Sequence, residues 1–251
     1  MSIADKLTII AENEQKVYDA GYKKGKIDGN YDQGVADGKQ AEYDIFWDAF
    51  QLNKGAAQSY QYLFCGTAWN DITFKPKYDI VFNLGYTGTN AFWGNGVTDI
   101  AETLEQLGLK MDTTLCGYWS GMFQNAKTKR LPELNCSHAM DYGDIGLQYT
   151  FANSKVETID KMIVVEELKY TSTFNGCANL KDIVFEGVIG NNISFKDSPL
   201  LTHDSLMSII NHLKDFSGTT TTRALTLGAT NLAKLTDAEK AIATEKGWTL
   251  A

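Results

Sequence analysis

The segment Phe151-Ala-Asn-Ser154-Lys-Val-Glu-Thr-Ile159 is one copy of a pattern that recurs along the middle of the chain. In its regular copies a phenylalanine is followed by a small residue three positions later and an aliphatic residue eight positions later. The copies begin at Phe92, Phe123, Phe151, Phe174 and Phe195, at spacings of 31, 28, 23 and 21 residues. Repeats of this length are typical of solenoids, in which stacked units bury apolar faces that none could bury alone. The sequence therefore predicts a short solenoid over residues 92–200, with the five phenylalanines as its spine.

The residues near each phenylalanine fit the tight turns that such a fold requires. Asn125 and Asn153 follow their phenylalanines by two positions, and Gly176 and Asp197 occupy the equivalent place. These residue types bond to nearby backbone or accept a positive φ angle, so we interpret them as scaffold. Two β-prone runs follow the third and fourth copies and are predicted strands: Lys161–Val165 and Asp182–Glu186.

The repeat unit, Phe-x-x-small-x-x-Leu-x-x-Ile, resembles the BspA-like class of leucine-rich repeats over residues 92–200. The runs Leu206-Met-Ser-Ile-Ile210 and Lys246-Gly-Trp-Thr249 resemble the ending often found on these proteins. The whole layout is similar to leucine-rich-repeat proteins encoded beside tail genes of phages and prophages of gut Gram-positive bacteria. This resemblance implies a virion-associated tail or baseplate protein, structural or host-adhesive in role. Its implied partners are other tail proteins, a host surface glycan or a host surface protein.

The first 52 residues carry a helical pattern with apolar residues at alternating spacings of three and four, which is typical of a coiled-coil seam. The centre of this segment is rich in glycine, and each interior glycine costs an isolated helix about 1 kcal/mol. We therefore predict an oligomerisation stalk over residues 1–52, preferably a homotrimer, in which the glycines allow close helix approach. A single helix folded back on the domain is the alternative. The residues predicted at the contact are Ile3, Leu7, Ile10, Val17, Gly21, Gly25 and Gly29.

Residues 53–91 are dense in aromatic side chains and contain β-prone runs, which predicts an N-terminal cap that covers the first repeat. A sugar-stacking aromatic platform is the functional alternative for this segment.

Residues 201–251 predict a C-terminal cap of mixed helix and strand. Thr202 can cap a helix, and the pair Thr236 and Glu239 forms a capping box before a second helix that Gly247 ends. The run Arg223–Leu227 alternates like a strand. The predicted fold class is therefore α+β, with a helical stalk, a leucine-rich-repeat solenoid and an α+β cap.

The composition disfavours nucleic acid and membranes as partners. The chain has 23 Lys and Arg against 31 Asp and Glu, a net charge of −8, and no basic run offsets it. No apolar stretch approaches the roughly 18 residues of a membrane span, and the first residues lack the pattern of a signal peptide. We expect a protein made in the host cytoplasm and then assembled into the virion, without membrane insertion.

The residue types that carry catalysis are scattered. The four cysteines form no Cys-x-x-Cys pair, and His203 and His212 are nine residues apart, which does not suit a metal pair on a helix. We therefore predict no catalytic residue, metal site or cofactor, and no enzymatic activity. A glycan-active enzyme remains an alternative, although no separated pair of carboxylates stands out for that chemistry.

Five aromatic residues lie between the repeated phenylalanines: Tyr118, Trp119, Tyr142, Tyr149 and Tyr170. They are the candidate ligand-binding residues, as an exposed aromatic track for a glycan or a protein epitope. The alternative is that at least half of them pack under the loops. For the whole protein, the alternative to a phage tail component is an adhesin on a bacterial cell surface.

Overall fold

The computed structural model describes residues 80–83, 94, 96, 99–107, 109–139 and 146–251. The strands are β1 (Ile80–Asn83), β2 (Leu109–Asp112), β3 (Arg130–Asn135), β4 (Thr158–Val164), β5 (Asp182–Gly187), β6 (Ile193–Ser194), β7 (Arg223–Thr226) and β8 (Trp248–Leu250). The helices are α1 (Ile100–Leu107), α2 (His203–Asn211), α3 (Gly228–Leu232) and α4 (Asp237–Glu245). This part of the chain thus mixes helix and strand around small sheets. The chain divides into two compact units, and residues 111–251 belong to the larger one.

The strands β3, β4 and β5 form a parallel sheet in the order of the sequence. Leu131 pairs with Ile159, which pairs with Ile183, and all three side chains are buried. Outward-facing residues alternate with buried ones in the first part of β5, whereas in β3 and β4 two successive outward-facing residues lie between buried ones. The predicted strands Lys161–Val165 and Asp182–Glu186 are thereby found as β4 and β5.

The core beside this sheet is a column of phenylalanine rings. Phe123 stacks on Phe151 with 5.7 Å between ring centroids, Phe151 on Phe174 with 5.3 Å, and Phe174 on Phe195 with 4.5 Å. All four side chains are almost wholly buried. Stacked aromatic pairs at these distances stabilise a fold beyond the area they remove from water. Phe92 lies outside the described residues.

Each phenylalanine of the column is the fifth residue of an eight-residue segment, which we call a Phe segment. The four are Trp119–Ala126, Leu147–Ser154, Tyr170–Cys177 and Asn191–Ser198. In the second, alternate backbone amides donate to the third: Leu147 to Lys169 O, Tyr149 to Thr171 O, Phe151 to Thr173 O and Asn153 to Asn175 O, at 2.8–3.3 Å. The first segment donates to the second in the same manner, through Gly121, Phe123 and Asn125. The first three segments are thus joined by backbone ladders.

Left-handed backbone conformations allow these turns. Asn125, Asn153 and Gly176, each two positions after a phenylalanine, have φ angles of 59°, 56° and 68°. A Cβ at Gly176 would lie 2.2 Å from the Asn153 side-chain oxygen, so a side chain there would displace that of Asn153. Two roles were predicted for these positions, a bond to nearby backbone or a positive φ angle. Asn125, Asn153 and Gly176 adopt the positive φ angle, and the carboxylate of the equivalent Asp197 accepts from the Gly176 amide at 3.1 Å.

Helix α2 covers the outer edge of the sheet β3-β4-β5. The hydroxyl oxygens of Ser205 and Ser208 accept from the amides of Ile183 and Phe185 on the outer edge of β5, both at 2.9 Å. Two serines three residues apart on the helix thereby replace the strand that would continue the ladder. An edge strand covered in this way no longer offers free amides for aggregation.

The C-terminal region, residues 201–251, contains the helices α2, α3 and α4 and the strands β7 and β8. These two strands form a second parallel sheet with β6 of the fourth Phe segment, in the order β6-β7-β8. Thr202 caps α2 by accepting from the Ser205 amide. Thr236 and Glu239 form a capping box at the start of α4, and Gly247 follows the end of this helix with φ of 82°. These caps and the strand β7 confirm the elements predicted for this region.

The predictions for the N-terminal part concern residues outside the described ranges. This applies to the whole stalk (residues 1–52) and its contact residues Ile3, Leu7, Ile10, Val17, Gly21, Gly25 and Gly29. In the predicted cap over residues 53–91, the structure describes β1, which pairs with β2.

Candidate interaction surfaces

The predicted aromatic track is not assembled on the surface of the described chain. Trp119 has an exposed fraction of 0%, and Tyr170 has 5%. Both occupy the first position of a Phe segment, where the second segment has the buried Leu147, so this position faces the core. The Trp119 indole N–H donates to Cys116 O at 2.8 Å, which satisfies the buried nitrogen. Trp119 and Tyr170 are therefore corrected from surface residues to core residues.

The remaining members of the set differ in exposure. Tyr149 is 40% exposed, Tyr118 is half-buried, and Tyr142 lies outside the described residues. Aligning the repeats on their phenylalanines already places Trp119 and Tyr170 in the same position as Leu147. That alignment was the sequence signal for their burial.

The outer face of the sheet β3-β4-β5 carries charged side chains that pair across neighbouring strands. Arg130 donates to both carboxylate oxygens of Asp160, at 3.0 and 2.8 Å. The Lys161 ammonium lies between Glu133 at 3.0 Å and Glu186 at 3.2 Å. The hydrogen bonds to these two carboxylates raise the pKa of Lys161.

A third set of charges lies where the strands begin. Glu157 pairs with Lys181 at 2.7 Å and with Lys129 at 3.6 Å. The hydrogen bond from Lys181 is the main cause that lowers the pKa of Glu157. Since the charges on this sheet face largely neutralise one another, the face offers paired polar groups with the apolar side chain of Val184, which is 50% exposed, among them. Such a mixture suits contact with another macromolecule.

A groove runs between the third and fourth Phe segments. It consists of two cavities of about 390 and 180 Å³, and both Tyr170 and Ser194 line each of them. One wall is formed by residues 169–175 and the other by residues 191–197, with Ala224 and Thr226 of β7 at the wider end. The sequence analysis missed this groove. Its signal was Ile193, a β-branched residue at a position where the earlier segments have residues with positive φ.

The thiols of the described chain are buried in the core, and His203 makes a contact between two helices. Cys136 and Cys177 are free and buried, and Cys116 is also buried. Burial is the main cause that raises the pKa of Cys177, to about 12, and it also raises the pKa of Cys136 well above its ordinary value. A buried thiol with a raised pKa is a poor nucleophile. His203 hydrogen-bonds the Glu239 carboxylate at 2.8 Å and so links the first turns of α2 and α4.

Within the described ranges no group of three or more His, Cys, Asp or Glu side chains is arranged to hold a metal ion. The helices that the structure describes include none with the length and apolar character needed to cross a bilayer. Comparisons with protein-family models, with curated proteins and with solved structures find no match to this chain.

Proposed function

We propose that the chain is a non-enzymatic interaction protein of a phage tail or baseplate, in which a short leucine-rich-repeat solenoid over residues 92–200 presents a binding surface. In this proposal residues 1–52 form the oligomeric stalk, preferably trimeric. Other tail proteins, or a glycan or protein of the host surface, are the partners.

The column of four stacked phenylalanines beside a parallel sheet is the observation that carries the proposal. In the first two Phe segments the backbone amides are used for turns and for backbone ladders, and the largest side chains of the described repeats fill the core. What these repeats display outward is the charged and partly apolar face of β3-β4-β5. A rigid scaffold with such a face is suited to contact rather than to catalysis. The phage-tail context is supported by the resemblance of the sequence.

Mass spectrometry of purified phage particles from an induced host tests the assignment to the virion. We expect peptides of this chain in particles, at a copy number that follows the tail proteins. Absence from particles, together with labelling of intact phage-free cells by an antibody to the chain, would favour the bacterial surface adhesin instead.

The role of the sheet face is tested by adsorption of the purified full-length chain to host cells. Val184→Arg adds a large charged side chain to the face at a residue that is 50% exposed, whereas Leu200→Arg makes the same chemical change at a residue 48% exposed outside this sheet. We expect Val184→Arg to reduce adsorption and Leu200→Arg to leave it unchanged. Equal adsorption of both variants and the parent chain would place the contact elsewhere.

A further inference from the structure

The junction between the third and fourth Phe segments lacks the backbone ladder that joins the earlier segments. The residues of the third segment equivalent to the donors of the second are Tyr170, Ser172, Phe174 and Gly176. Of these, the Gly176 amide donates to the Asp197 carboxylate at 3.1 Å. Within the described residues, the amides of Tyr170, Ser172 and Phe174 donate to no acceptor. The third segment therefore presents a row of backbone donors to the groove.

A hydroxyl-to-carbonyl hydrogen bond that joins the earlier segments is also missing at this junction. Thr150 donates to Trp119 O at 3.1 Å, and the equivalent Thr173 donates to Leu147 O at 2.9 Å. The equivalent residue of the fourth segment is Ser194, which makes no such bond to Tyr170 in the described structure.

The residue three positions after the phenylalanine also differs between the third and fourth segments. Cys177 donates from its thiol to Phe151 O at 3.0 Å. The hydroxyl of the equivalent Ser198 is buried and has no hydrogen-bond partner. Because buried polar groups are normally paired, several unpaired groups at one junction mark a place where an expected neighbour is missing.

The cause of the opening is Ile193. Its equivalents Gly121, Tyr149 and Ser172 have φ angles of 62°, 55° and 52°. Ile193 is instead part of the extended strand β6 and pairs with Leu225 of β7. A β-branched residue strongly disfavours the left-handed conformation, so the fourth segment extends towards β7 and leaves the third.

The groove is nevertheless a defined structure, because its walls are held together on three sides. On the inner side Phe174 and Phe195 stack at 4.5 Å. At one end the Asn191 side-chain amide donates to Glu167 O at 3.1 Å, and at the other end the Asp197 carboxylate accepts from Gly176. The wider cavity, of about 390 Å³, has the size of a typical ligand site.

We propose that this groove binds an extended peptide segment of a partner protein, whose backbone carbonyls accept from the amides of Tyr170, Ser172 and Phe174. The equivalent amides of the second segment indicate which ligand fits this row of donors. They donate to backbone carbonyls that are two residues apart in the neighbouring part of the chain. An extended polypeptide presents acceptors at this spacing, and recognition through backbone hydrogen bonds is an established mode of peptide binding. The Ser194 hydroxyl adds a further donor on the opposite wall. This inference rests on the proposed interaction function and specifies its partner as a polypeptide.

The experiment selects short linear peptides of random sequence, in a display library, on the immobilised full-length chain. Recovered peptides are then measured against Ser194→Trp, which fills the groove from one wall, and Thr171→Trp, which fills it from the other at an exposed residue. Ser217→Trp, at an exposed serine outside the groove, is the matched control. We expect affinity to fall about tenfold or more on both groove variants and to stay unchanged on the control. Hydrogen–deuterium exchange should show bound peptide protecting residues 170–175.

Failure to recover any peptide with this dependence on Ser194 and Thr171 overturns the proposal. Protection of residues 170–175 by neutral or acidic oligosaccharides, with none by peptides, overturns it in favour of a glycan site. The result is separable from the phage assignment. Groove-dependent peptide binding by a chain absent from virions would contradict only the virion role, whereas a chain present in virions without peptide binding would contradict only the groove.

Discussion

Both three-stranded sheets of the described chain are parallel, yet different interactions hold the regions around them. Around β3-β4-β5, the stacking of Phe123, Phe151 and Phe174 is repeated from one segment to the next, with the same backbone ladder beside each pair. The C-terminal region has single polar anchors. Asn231 is wholly buried and donates to Ser198 O and Leu227 O, and the Lys234 ammonium donates to Leu201 O at 2.6 Å.

This difference shows how a repeated structure can be ended. Each repeat needs only a copy of itself as neighbour, so one apolar pattern suffices for several strands. The last repeat has no copy to follow it, and its polar groups must be met by other elements. Ser205 and Ser208 do this for β5, and Lys246 does it for the end of α2 by donating to Asn211 O at 2.9 Å. The two regions should therefore respond to different substitutions.

The largest effect is expected in the phenylalanine column. Phe151→Ala removes the ring between Phe123 and Phe174 and should lower the free energy of unfolding by about 3–5 kcal/mol, because a large cavity is left in a buried stack. Urea unfolding at neutral pH measures it. Tyr149→Ala, an aromatic truncation in the same segment at a residue 40% exposed, is the control and should change stability far less. Equal losses in the two variants would mean that the column does not dominate the stability of the repeats.

The next effect concerns the buried anchor of the C-terminal region. Asn231→Ala leaves the carbonyls of Ser198 and Leu227 without their donor and should cost about 1–3 kcal/mol, the usual range for unpaired buried groups. Asn211→Ala removes an exposed amide at the end of α2 and serves as the control. Unfolding free energy, with hydrogen exchange to locate the loss, is the measurement. A neutral Asn231→Ala variant would show that packing, and not polar anchoring, holds this region.

A smaller effect is expected at the capping box of α4. Thr236→Ala removes the acceptor for the Glu239 amide, and the loss of such a cap costs about 1 kcal/mol. Thr230→Ala makes the same change at an exposed position within α3 and should be close to neutral. The melting temperatures of the two variants, each compared with that of the parent chain, measure the two effects. If Thr230→Ala destabilised the chain as much as Thr236→Ala, the cap would have no special weight.

The smallest effect is electrostatic and belongs to the repeats. The pKa of Glu157 is lowered in the folded chain, mainly by the hydrogen bond from Lys181. At pH values around the folded and unfolded pKa of this carboxyl, the folded state therefore binds fewer protons than the unfolded state. Its contribution is present above the unfolded pKa of about 4.3 and is lost as the pH falls through the folded pKa. Glu157→Gln should therefore reduce the loss of stability on acidification, measured by urea unfolding across that range.

Glu167→Gln, at an exposed carboxyl in the turn after β4, is the control for this pH series. A slope with pH that is the same in Glu157→Gln as in the parent chain would show that solvent and salt screen the pairing with Lys181 and Lys129 completely.

Much of the local structure followed from the sequence. The runs that became β4 and β5, the cap residues Thr202 and Thr236, and the turn residues Asn125 and Asn153 were all predicted, because each depends on neighbours a few positions away. Trp119 and Tyr170 were candidates for an exposed aromatic track, with packing under the loops as the alternative, and their burial agrees with that alternative. Aligning the segments on their phenylalanines would have separated the two possibilities. The groove was missed because its signal, Ile193 at a position of positive φ, becomes visible only when the segments are aligned, and because the missing hydrogen-bond ladder depends on distant segments.

By itself, the sequence determined the repeat unit, since the spacing of phenylalanines, small residues and aliphatics is a local requirement of each turn and strand. Only the tertiary structure decided what the repeats leave unpaired. Two conformations compete at Ile193: a left-handed turn against the third Phe segment, and an extended strand that pairs with Leu225 of β7, some 30 residues further along the chain. Long-range contacts favour the extended conformation, and the amides of Tyr170, Ser172 and Phe174 are therefore left without acceptors in the described structure.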